Sequence, residues 1–120
     1  MALPVFSKSE IDGYRNQEEI IRLTAEQTIK DFALFGLEIV FSGNVITAYE
    51  ELFEQLDSCI IELLNSDYRR LLSLLYHIDI SERELNKKFT TPSESASGQL
   101  TEMILDRELK KVIIRKYYKP

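Results

Sequence analysis

Few side chains in this sequence have types and spacings suited to bond-making. His77 is the only histidine and Cys59 the only cysteine. A lone thiol and a lone imidazole cannot supply the four-ligand sets of structural zinc sites. A carboxylate-bridged di-iron bundle needs two Glu-x-x-His pairs, and the chain has none. Any Ser-His-Asp or Cys-His arrangement would have to use His77. Tyr76 and Asp79 are its neighbours for general-base work. Its place near a predicted helix end favours a structural or surface histidine. Cys59 stands beside Ile60 with no cation within two helical turns, so it reads as a small apolar residue rather than a nucleophile.

Glu50, Glu54 and Asp57 share one side of a predicted helix. Calcium wants six to eight oxygens from a flexible loop, and a helix presents too few, so the reading is a solvated acidic face. No two carboxylates are marked by spacing as an acid/base pair. The glycines, at positions 13, 36, 43 and 98, form neither a dinucleotide fingerprint nor a phosphate loop. No catalytic, metal-binding or cofactor-binding residues are assigned, and no cofactor is expected.

The remaining candidate is the C-terminal run Arg107, Lys110, Lys111, Arg115, Lys116, Tyr117 and Tyr118, which interleaves bases with aromatics. Such a surface can dock on an acidic protein, or grip phosphates while stacking unpaired bases. The overall charge of −5 opposes the long-range attraction that nucleic acid binding exploits. Bases at a helix end also complement the helix's own dipole, or an acidic block elsewhere in the fold. That acidic block exists. Residues 31 to 68 contain no lysine or arginine and a charge of −8, against +5 for residues 107 to 120.

The elements that carry these residues read as helices. Ile21, Ala25, Thr28, Phe32, Phe35 and Ile39 recur at spacings of four and three, which predicts a helix over about 16–41. Gly36 is a possible bend, and Leu37 to Phe41 is alternatively a short strand. A second helix, from 45 or 47 to 65, carries the stripe Tyr49, Leu52, Phe53, Leu56, Ile60, Leu63 and Leu64, with Thr47 and Glu50 as a capping box. A third, over 67–78, has Ser66 as its cap. Ser81 and Glu84 form another capping-box signature and open a short helix to about Phe89. The last helix, over 99–117, is apolar around most of its circumference. The β-branched run Val112-Ile113-Ile114 leaves a terminal strand as its alternative.

Residues 1–15 read as an N-terminal arm, and residues 90–98 as a polar loop holding Pro92 and Gly98. The first residues lack the positive region of a secretory leader, and no apolar run approaches a membrane span. A chain of 120 residues fits one domain. The expected fold is all-α, a compact bundle of four to five helices, in a cytoplasmic protein.

The strings Leu74-Leu-Tyr-His-Ile-Asp-Ile-Ser-Glu82 and Arg107-Glu-Leu-Lys-Lys-Val-Ile-Ile-Arg-Lys-Tyr117 resemble segments of small uncharacterised bacterial helical proteins. The resemblance implies a bacterial source and no site residues.

The expected function is a non-catalytic protein–protein interaction or self-associating module. Residues 29–41 and 100–117 are more apolar than one amphipathic helix of a monomer requires, and the opposite charge blocks can steer a partner. The alternatives are a nucleic-acid accessory protein using the basic C-terminal helix, and a small-molecule-binding bundle with a pocket lined by Tyr49, Tyr68 or Tyr76.

Overall fold

The computed structural model describes residues 8–88 and 96–118. Among the described residues there are six helices and no strand: α1 (Lys8–Arg15), α2 (Glu18–Ala33), α3 (Ala48–Ser66), α4 (Tyr68–Ile78), α5 (Glu82–Lys88) and α6 (Ala96–Tyr117). The all-α class holds. The sixth helix is α1, which lies within the segment read as an arm and packs on α2 and α6. Of the polar loop expected over 90–98, residues 96–98 begin α6 and the rest lies outside the described residues.

The first long helix is shorter than its apolar pattern predicts. It ends in a left-handed turn at Gly36 (φ 73°), where Leu37 N–H donates to the Phe32 carbonyl and Gly36 N–H to that of Ala33. That pair of bonds is the Schellman stop, and glycine enters the left-handed region without a Cβ penalty. The Arg70 guanidinium of α4 adds a cap, donating through Nε and Nη2 to the Phe35 carbonyl. Leu37 to Phe41 then run extended, with Ile39 buried and Glu38 and Val40 exposed. Residues 37–41 are thus neither the predicted end of the helix nor the alternative strand. The amide of Gln55 bonds Val40 instead.

Capping follows the sequence in one place and departs from it in two. Ser81 and Glu84 form the expected box, with Ser81 N–H donating to Glu84 Oε2 (3.0 Å) and Glu84 N–H to Ser81 Oγ (3.2 Å). At α3 the partner of Thr47 is Glu51 rather than Glu50. Glu51 accepts from Thr47 Oγ1 (2.6 Å), Ser42 Oγ (2.7 Å) and Ser42 N–H (3.0 Å), which ties the loop to the helix. At α4 the cap is Asp67, accepting from Arg70 N–H, and not Ser66.

The core has two parts. The larger joins Ala25 and Phe32 of α2, Leu52, Leu56 and Ile60 of α3, Leu71, Leu74 and Leu75 of α4, and Leu100, Ile104 and Leu105 of α6. The smaller joins Ile20 of α2 to Leu109, Val112 and Ile113 of α6, with Ile11 and Tyr14 of α1 against it. Helix α6 touches α1, α2, α3 and α4, which accounts for apolar residues on most of its circumference. The run 112–114 is helical.

Candidate functional site

Between the two apolar clusters α6 presents Glu108, flanked by Leu105 and Leu109 and 0% exposed. Opposite it, near the end of α2, stands Asp31, buried at 4% exposure. The two carboxyl groups share one ionic partner, Lys111. Lys111, one turn beyond Glu108, reaches both acids: Nζ lies 3.2 Å from Asp31 Oδ2 and 3.5 Å from Glu108 Oε1. His77, at the end of α4, sets Nε2 3.1 Å from Asp31 Oδ1. Gln27 donates from Nε2 to the same oxygen (3.0 Å), and its own carbonyl oxygen accepts from Arg115.

The environments push the two acids apart. Burial opposes ionisation of Asp31, but the neighbouring Glu108 carboxyl, the charge of Lys111 and the contacts with Lys111 and His77 outweigh it and hold its carboxyl below the ordinary value. Glu108 is pushed up to about 8, by burial first and then by the neighbouring Asp31 carboxylate, against the pull of Lys111. Neither oxygen of Glu108 has a hydrogen-bond partner. The cluster is thus a buried acid pair with one lysine between the acids. It reaches solvent through His77, whose side chain is 39% exposed in an open concavity with Phe35, Ser73, Tyr76 and Glu82.

The basic C-terminal residues fold back on the chain. Arg107 pairs with Glu84 (3.0 Å) and Asp79 (3.4 Å), Lys111 with the acid pair, Arg115 with Gln27, and Lys116 with Glu19. Tyr117 donates to Gln17 Oε1 (3.1 Å), and its ring lies 4.8 Å from that of Tyr14. Tyr118 is raised in pKa by desolvation and by Tyr14. Lys110 is half-buried. These contacts set α2 and α6 in opposite directions, with Gln17 against Tyr117 at one end and Asp31 against Lys111 at the other.

The other candidates are dispersed. Tyr49 is half-buried and donates to the Arg15 carbonyl (2.8 Å). Burial raises it to about 12, against the pull of Arg15. Tyr68 lines a different surface from Tyr76, so the three tyrosines share no pocket. Cys59 is half-buried, and its thiol is raised by burial and then by Glu62. Among the described residues no three His, Cys, Asp or Glu side chains are grouped to hold a metal ion. Nor is any helix long and apolar enough to cross a membrane.

Sequence reasoning missed the acid pair because 77 positions separate its members and no motif links them. The signal that existed was local. Asp31 interrupts an apolar stretch of α2, and Glu108 stands between apolar neighbours on α6. His77 finds Asp31, and not the adjacent Tyr76 or Asp79, as its partner.

A second surface feature is apolar. Leu64, Tyr68, Leu71, Leu75, Leu85, Ala96 and Leu100 line a groove of about 210 Å³ between α3, α4, α5 and the start of α6. Of its lining residues Leu64 and Tyr68 are 41% and 55% exposed.

No family model matches the chain, and comparison with curated proteins and with solved structures finds no similar one.

Proposed function

We propose that this protein is a non-catalytic protein-interaction module, and that its groove between α3, α4 and α6 receives an apolar helical face carrying basic residues. The carrying observation is the groove with its exposed lining residues Leu64 and Tyr68. Exposed large apolar side chains at a concave surface are what a helix-in-groove partner buries. The charge of the occupant follows from α3, which bears Glu50, Glu51, Glu54, Asp57 and Glu62 and no base. Acidic flanks favour a cationic partner and steer its approach. The apolar surplus of α6, which first suggested association, is largely absorbed inside the monomer, so the interaction surface moves to α3 and α4.

The basic C-terminal residues support this reading more than nucleic acid binding. Arg107, Lys111, Arg115 and Lys116 already have partners on other elements, and those charges would be needed free to grip phosphates. The two acids are themselves buried, at 4% exposure for Asp31 and 0% for Glu108. A reducing cytoplasm suits a chain whose single cysteine is an unpaired thiol.

The test is fluorescence anisotropy with a labelled synthetic Leu/Lys amphipathic helix. Binding to the native chain should be lost in Leu64→Glu and kept in Tyr76→Glu, which alters an exposed aromatic outside the groove, with circular dichroism showing both variants folded. Absent binding, or binding that survives Leu64→Glu, removes the proposal. Light scattering over a concentration series checks whether a second copy takes the partner's place.

A further inference from the structure

We infer that Asp31, Glu108, Lys111 and His77 form a proton-operated latch on α6, which seats fully against α2 only while the acid pair holds one proton. The geometry leaves little choice. Glu108 is wholly enclosed, and its oxygens have no donor beyond Lys111 at 3.5 Å, while Lys111 is closer to Asp31 at 3.2 Å. Two ionised carboxylates here would face one ammonium and each other, without water. With Glu108 protonated, Lys111 neutralises Asp31, His77 orients it, and no buried charge is left unpaired.

The groups facing the pair from each packed element are few. Helix α2 contributes Asp31, α4 contributes His77, and α6 contributes Lys111. Among the ionisable groups of α1 and α3 are Arg15 and Tyr49. Arg15 lies over the Tyr49 ring and pairs with Asp106 at 3.9 Å, away from Glu108. His77 and Lys111 are the partly exposed members of the cluster, and both contact Asp31.

The sign is fixed by linkage. An unfolded glutamate ionises near its ordinary value of 4.5, whereas the folded chain keeps its proton to about 8. Between those values the native state holds more protons than the unfolded state, so this group makes stability fall as pH rises, levelling above about 8.

The experiment is urea unfolding of the native chain and Glu108→Gln across pH 5 to 9. Glutamine keeps the shape and stays neutral at every pH. The native folding constant should fall by up to about tenfold per pH unit between roughly pH 5.5 and 7.5, and Glu108→Gln should lose that slope. Two chains with the same slope would overturn the latch. Carbon-13 carboxyl shifts of Glu108 in the native chain give a second reading that does not depend on the variant folding. A titration midpoint near 8 supports the inference, and one near the ordinary glutamate value refutes it. Hydrogen exchange, corrected for its intrinsic pH dependence, should show α6 amides around Glu108 losing protection between pH 6.5 and 9 while α3 keeps its own. Equal loss in both helices would replace the latch with global unfolding.

Discussion

The side-chain amide of Gln55 makes both hydrogen bonds of a neighbouring strand to Val40. Its Nε2 donates to the Val40 carbonyl at 2.7 Å, and its Oε1 accepts from the Val40 N–H at 2.9 Å. An extended segment without a ladder is held against α3 by one primary amide. Gln55→Glu removes the donor and sets a carboxylate against the carbonyl. At about 1 kcal/mol per net hydrogen bond, it should cost about 1–2 kcal/mol in urea unfolding. A cost near zero would mean that solvent satisfies Val40 equally well.

Gly36 stops α2. Gly36→Ala places a Cβ at φ 73°, and 2.8 Å from Arg70 Nη2, which is anchored on the Phe35 carbonyl. The left-handed backbone alone costs about 1–2 kcal/mol, and displacement of Arg70 adds to it. Thermal unfolding should show a lower midpoint for Gly36→Ala, and a much smaller shift for Gly13→Ala, where a Cβ meets nothing within 4 Å.

Leu56 is fully buried in the middle of α3, and Glu54 on the same helix is exposed. Leu56→Ala should cost about 2–5 kcal/mol through lost burial and a residual cavity. Glu54→Ala should stay within about 0.5 kcal/mol. Equal costs from paired denaturant melts would reverse the facing of α3.

Lys111 is the cation between the two acids. Lys111→Met keeps the aliphatic stem and leaves Asp31 without its ammonium. Breaking a buried pair from one side should cost about 3 kcal/mol at pH 7, toward the lower end of the usual range because the lysine is partly exposed. The loss should shrink below Asp31's ordinary value of 3.8, because Asp31 ionises more readily folded than unfolded and its contribution fades as pH falls through its lowered pKa. Melts of both chains at pH 7 and pH 3.5 measure the difference.

The sequence by itself determined the helical class, the buried stripe of α3, the box at Ser81 and Glu84, and the uneven charge, because each depends on residues within one or two turns of one another. Even the stop at Gly36 was written locally, but the apolar run continuing to Phe41 masked it, since α-type and strand-type patterns overlap where nearly every residue is apolar. Only the tertiary structure decided that α6 lies at the centre, that Arg107, Lys111, Arg115 and Lys116 turn inward to partners, and that Asp31 meets Glu108. Local periodicity states which face of a helix avoids water. The partner that face meets depends on how distant segments pack, and positions 31 and 108 meet one lysine only once both have left solvent together.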